Sequence, residues 1–158
     1  MRRVFIALIT SALALTLTAC GAGLNASTRQ VKQVTDGVEG AITKGDNKIK
    51  IRNLLVVATA EGAGVLVGTI INDNPADDAL LGVAINGQVA TVTGTNSVSL
   101  NTPIIFEGPS ANAKAVVPAL AATAGSQVSV TLFFAHAGGI TVQAIIRDPV
   151  DIYAGITA

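Results

Sequence analysis

Over most of this chain apolar and polar positions alternate in short runs with the period of two that a half-buried β-strand requires. Lys48-Ile49-Lys50-Ile51-Arg52 alternates strictly, and Leu54-Leu55-Val56-Val57 then runs continuously apolar. Residues 65–71, 80–85, 88–93, 98–100 and 104–106 follow as further strands, separated by turn residues. Asn72-Asp73-Asn74-Pro75-Ala76-Asp77-Asp78 is a dense turn cluster, because Asn and Asp bond their own backbone and Pro fixes φ. Asn86-Gly87 has the chemistry of a two-residue hairpin turn, with 88–93 as the strand returning along 80–85. Val128, Val130 and Leu132 alternate with Ser129 and Thr131 up to Phe133-Phe134; Gly138-Gly139 then turns the chain into 140–146. Between these lies a looser segment, 108–124, with Pro109 and Pro118. Its alanine-rich stretch 119–124 is too short for a helix. The pattern predicts an all-β domain over 48–158, an antiparallel β-sandwich.

The N-terminus is patterned differently. Arg2 and Arg3 precede an uncharged apolar stretch, 4–17, which is shorter than the roughly 20 residues of a membrane span. Positive residues, an apolar run and small residues before a cleavage point are the layout of a secretory signal peptide. Leu17-Thr18-Ala19-Cys20 resembles the lipobox of bacterial lipoproteins. The resemblance implies removal of 1–19 and acylation of Cys20, giving a lipid-anchored protein on the extracytoplasmic face of the cell membrane. Cysteine arithmetic supports it: Cys20 is the only cysteine, so no intramolecular disulfide forms, and a free thiol is a liability in an oxidising compartment. An ordinary signal containing a cysteine is the plainer alternative. Residues 20–47 are small and polar with scattered glycines, and read as a tether with one possible edge strand at 28–35.

Composition narrows the function. Removing residues 1–19 from the 158 leaves 139, enough for one domain with a core. It also removes Arg2 and Arg3, so ten basic residues become eight against ten acidic. The remaining segment has no basic stripe and only Phe106, Phe133, Phe134 and Tyr153 as aromatics. Nucleic-acid binding calls for phosphate-neutralising charge and stacking platforms, so it is not expected. Membrane attachment is expected through the acyl chains alone.

From residue 48 onward the chain resembles the PCu(A)C copper-chaperone family and its actinobacterial lipoprotein relatives. The likeness lies in Ile51-Arg52-Asn53, in Gly68-Thr69-Ile70-Ile71-Asn72 leading into the Asn/Asp loop, and in Asp78-Ala79-Leu80-Leu81-Gly82-Val83. The closing pair, 125–134 then 138–146, completes it. The resemblance implies a cupredoxin-like sandwich and a copper(I) site of two His and two Met, soft ligands suited to that ion. One His–Met set would lie beyond the strand with Gly82-Val83, and a His-x-Met after a glycine-containing loop. Here the first region reads Ala84-Ile85-Asn86-Gly87-Gln88-Val89-Ala90-Thr91-Val92-Thr93, and the second Gly108-Pro109-Ser110-Ala111-Asn112-Ala113-Lys114. Neither holds His or Met, and Met1 is the only methionine. No copper ligand of the family carries over.

Other chemistry is sparse. His136 is the sole histidine and a weak metal candidate, since closed or catalytic sites need three or four ligands. No nucleophile elbow accompanies it. Asp73, Asp77 and Asp78 lack the spacing of a calcium loop and read as a solvated turn. Gly62-Ala63-Gly64 precedes no helix, so it does not cradle phosphate. Asn25-Ala26-Ser27 fits a glycosylation sequon. Lys114, Arg147, Asp148 and Asp151 read as solvent-facing charges, with a polar rim around a partner site as the sharper alternative. The expectation is a non-enzymatic envelope lipoprotein, without cofactor or metal, that binds an envelope protein partner. The alternative is a copper-handling protein with an unconventional site at His136.

Overall fold

The computed structural model describes residues 35–158. Cys20, the signal segment, the Asn25 sequon and nearly all of the edge strand expected at 28–35 lie outside the described residues. The elements are β1 (Val38–Lys44), β2 (Asn47–Ala58), β3 (Gly64–Asn72), β4 (Asp78–Ile85), β5 (Gln88–Val89), β6 (Thr91–Gly94), β7 (Ser97–Val98), β8 (Ile104–Phe106), β9 (Ala113–Val117), β10 (Gln127–Phe134) and β11 (Gly138–Arg147). A 3-10 turn, Asp151–Tyr153, follows.

The strand order is β5-β4-β10-β11-β2-β3-β8-β9-β6, with β1 added on β2 and β7 on β4. One layer is β5-β4-β10-β11, and the other is built on β2, β3, β8, β9 and β6. The two ends of this path, β5 and β6, are neighbours in sequence with only Ala90 between them. Ala90 is therefore a corner. Its N–H donates to Val83 O at 2.9 Å, and its methyl is buried between the layers. The all-β sandwich expected from the alternation is present, closed almost to a barrel. Three short parallel contacts depart from a purely antiparallel scheme: Ile146 and Arg147 against Val56 and Val57, Phe106 against Ala113, and the isolated bridge of Asn72 with Leu100.

A bulge in β2 sorts the core. Ile49 and Ile51 point inward, and beyond Asn53 the inward residues are Leu54 and Val56. The parity changes because Asn53 and Leu54 together oppose the single residue Gly68. Asn53 takes φ 50°, and its Oδ1 accepts the Gly37 N–H at 2.8 Å, docking β1. Past the bulge, Leu55 and Val57 face outward yet are fully buried, covered by Tyr153 and flanked by Val67, Ile145 and Ile156. The apolar run at 54–57 thus serves two cores, one on each side of the strand.

Three sequence readings are corrected. Residues 20–47 are not all tether, for β1 lies within them. Gly37 and Gly40 mark close approach there: an added Cβ would lie 2.3 Å from Asn53 C at Gly37, and 3.1 Å from Val142 Cγ1 at Gly40. Residues 88–93 are not one return strand. Only Gln88 and Val89 pair with β4, while Thr91–Gly94 crosses to β9. The looser segment 108–124 contains β9, whose Ala113, Ala115 and Val117 alternate inward. Small alanines weakened that signal.

Gly68 holds φ 150°, and a Cβ there would sit 2.8 Å from Leu54 Cδ1 and 3.1 Å from Leu54 Cα. Gly68→Ala is expected to destabilise the domain by about 1–3 kcal/mol through overpacking, measured as a lowered urea midpoint. An unchanged midpoint would show that the bulge tolerates a side chain.

Candidate functional site

The two segments in which the copper-chaperone resemblance places metal ligands are brought together. β6 pairs with β9 in the register Thr91↔Val116, Val92↔Ala115, Thr93↔Lys114 and Gly94↔Ala113. The loop before β9 is fixed by Asn112, whose Oδ1 accepts the Ile105 N–H and whose Nδ2 donates to Pro103 O. Lys114 Nζ lies 3.6 Å from Glu107 Oε1. Alanine, valine, threonine and one ion pair fill this seam. None is a soft ligand.

His136 sits in the turn between β10 and β11, its side chain 72% exposed. Below it Asp78, at the start of β4, is buried. Asp78 Oδ1 accepts N–H groups from Ala79 at 2.7 Å and His136 at 2.9 Å, and Oδ2 accepts that of Ala137 at 2.9 Å. The imidazole Nδ1 stands 3.4 Å from Asp78 Oδ1. Burial raises the Asp78 carboxyl, but the three backbone donors and the neighbouring imidazole outweigh it and hold the group below its ordinary value. A carboxylate so occupied clamps a turn to the next strand, and both oxygens are already committed to backbone donors. Sequence reasoning placed Asp78 in a solvated turn and missed this clamp, because its three donors come from residue 79 and from residues almost sixty positions away.

The Asn/Asp cluster is likewise committed to structure. Buried Asn72 donates to Ala76 O at 2.8 Å and Val98 O at 2.9 Å, and accepts the Asn74 N–H at 2.8 Å. Asp73 pairs with Lys50. Among the described residues no three His, Cys, Asp or Glu side chains cluster as metal ligands, and no buried side-chain polar atom lacks a partner.

At the opposite end of β10 and β11 lies a pocket of about 500 Å³, lined by Asp36, Ile146, Arg147, Asp148, Asp151 and Tyr153 among others. Here the charges that sequence reading left as solvent-facing converge, except Lys114. Tyr153 Oη donates to Asp36 Oδ2 at 3.2 Å, and Arg147 Nη2 reaches the same oxygen at 3.3 Å. Burial first, then the Asp36 carboxylate, raises the Tyr153 phenol above its ordinary value, with Arg147 opposing.

Two outcomes follow from these groups. Asp78→Ala leaves three N–H donors without their acceptor and is expected to cost about 3 kcal/mol, read by urea unfolding. Because the folded carboxyl titrates below its unfolded value, its contribution is complete at neutral pH and is lost as pH falls through the folded value. The acid limb of the stability profile should therefore be flatter in the variant; an identical acid limb would remove Asp78 from that role. Tyr153→Phe is expected to cost about 1 kcal/mol at neutral pH. The raised phenol contributes stability below its unfolded value and loses it as pH rises through the folded one, so the variant should lose less stability than the parent on going to alkali, and an unchanged alkaline limb would count against the phenol.

No family model matches the sequence, and no curated protein matches it. Solved structures do. A copper-bound PCuAC domain from PmoF2 aligns with TM-score 0.58 and 20% identity, over 71% of this chain and 99% of that one. An apo PCuAC domain from PmoF1 aligns with TM-score 0.57 and 19% identity, over 70% of this chain and all of that one. The apo PCuAC domain from PmoF2 gives 0.56 and 18%, over 71% and 98%. The chain is similar to these domains in fold: it is an all-β, cupredoxin-like sandwich.

Proposed function

We propose that this protein is a membrane-anchored, non-enzymatic lipoprotein that uses a copper-chaperone scaffold to bind an envelope protein partner, with no copper site at the position its fold relatives suggest. The observation carrying this reading is the residue content of the β6–β9 seam. The fold brings together the two segments, and they present Thr91, Thr93, Lys114 and Val116 with no His, Met or Cys. Copper(I) selects soft ligands, and threonine and lysine are not among them. The lipobox-like Leu17-Thr18-Ala19-Cys20 supports the anchor.

The outer face of β4, β5 and β10 supports the partner reading. Their outward residues include Leu81, Val89 and Phe133, 67%, 82% and 47% exposed, with Ala84, Ser129 and Thr131 nearby and no charge among them. No charged residue occurs from Ala79 to Phe106, so the whole sheet edge shares this character. An uncharged face with an exposed aromatic suits a protein contact better than a small polar ligand.

The fold neighbours favour a second reading, copper handling, since one of them is a copper-bound domain. In this chain it would fall to His136 with Asp78, and the prior commitment of Asp78 to three backbone donors weighs against it. Titration with Cu(I) and Cu(II) discriminates. The expected result is no tight stoichiometric binding; stoichiometric binding lost on His136→Ala would overturn the first reading and establish the second. A photo-crosslinking residue at Phe133 in intact cells is expected to capture one discrete envelope protein, whereas a diffuse pattern would argue against this face.

A further inference from the structure

Beyond β11 the chain turns at Asp148 and Pro149, and Val150 and Ile152 then project into solvent, 56% and 82% exposed. Scattered exposed aliphatics need no explanation. These two differ in being held out by a fixed scaffold. Asp151 between them takes φ 54°, a conformation a non-glycine residue keeps where its surroundings impose it. The Val150 N–H donates to Asp148 O at 2.9 Å, that of Tyr153 to Val150 O at 3.0 Å, and that of Ala154 to Asp151 O at 3.1 Å. The Tyr153 ring is buried on Leu55 and Val57 and locks the loop to β2.

The place of this loop gives it meaning. Tyr153 and Arg147 both bond Asp36, so the chain leading from Cys20 joins the domain beside residues 150–152. From Cys20 to Thr35 is fifteen residues, a stretch that spans about 50 Å at most when fully extended. Any shorter path brings the loop closer to the anchor. His136 and Asp78 lie at the other end of β10 and β11 and face away.

We infer that the 150–152 loop is a membrane-docking tip, with Val150 and Ile152 seated in the interfacial layer of a bilayer. The inference rests on lipidation of Cys20. The occupant is an electrically neutral lipid surface: Asp36, Asp148 and Asp151 outnumber Arg147 around the loop, so anionic headgroups are repelled. Docking holds the sandwich upright and turns the uncharged face of β4, β5 and β10 sideways, open to a partner in the same membrane.

The test uses the full lipidated chain in phosphatidylcholine vesicles, with Ala154→Cys carrying an environment-sensitive fluorophore. Acylation blocks Cys20, so the label is single. The expected result is a blue-shifted emission quenched by brominated lipid, lost in the Val150→Ser/Ile152→Ser variant, and reduced when phosphatidylglycerol replaces part of the phosphatidylcholine. A label at Asp46→Cys, in the far β1–β2 turn, should stay water-like. Both serine positions are exposed, so the fold is not at stake. Water-like emission at both labels in protein that floats with the vesicles would overturn docking alone. A Cys20 thiol that takes up the label, in protein left in the aqueous fraction, would overturn the lipid anchor and docking with it.

Discussion

The architecture hangs on a change of parity at Asn53. A regular strand as long as β2 presents alternate residues to one core from end to end. Here its first half must bury Ile49 and Ile51 while exposing Lys50 and Arg52, and its second half must bury both faces. Inserting Asn53 and Leu54 against Gly68 resolves the conflict by shifting the register one residue. Three strands depend on that step. β1 docks through the Asn53 side chain, β3 must carry a glycine opposite it, and β11 joins β2 only past it, at Val56 and Val57.

With β1 on one half of the β2 edge and β11 on the other, the two layers splay, and closure falls to the opposite corner. Ala90 provides it by passing the chain from β5 in one layer to β6 in the other. Ala90 is only 7% exposed at this corner, and its N–H bonds Val83 O. The open loops are then tied by side chains bonding to distant backbone: Asp78 to the β10–β11 turn, Asn72 to Val98 in β7, and Asn112 to Pro103 just before β8. Short polar residues suit this work, since they lose little rotamer freedom when fixed.

Most of this fold was legible because period-two alternation survives wherever one face is wet. It showed in Lys48-Ile49-Lys50-Ile51 and in Val128-Ser129-Val130-Thr131-Leu132, and Asn86-Gly87 marked its hairpin, both residues at positive φ. Alternation failed where its physical basis failed. β9 alternates alanine with lysine and valine, too weak a contrast to register, and β1 is hidden by the glycines that let it approach β2 and β11. The covering of Leu55 and Val57 by the C-terminal segment is non-local, so the run at 54–57 could signal double burial without naming the cover. The absence of His and Met from the two segments that meet at the β6–β9 seam is visible in the sequence, whereas their meeting is not. The meeting of Asp36, Arg147 and Tyr153 was not legible either, because it joins positions more than a hundred residues apart.

These ties also bear on what the scaffold can do without a ligand. A metal at a seam between loops would contribute its binding energy to the folded state. In this chain the loops are closed by backbone bonds to Asp78, Asn72 and Asn112, and no buried side-chain polar atom among the described residues lacks a partner. The groups the core leaves outside are unevenly placed: charges lie at both ends of the sandwich, with Asp36, Arg147, Asp148 and Asp151 at one and Lys44, Asp46, Lys48 and Asp73 at the other, while the outer face of β4, β5 and β10 carries none. On the proposed reading, a domain whose surface is sorted in this way is held at one end and touched on one side.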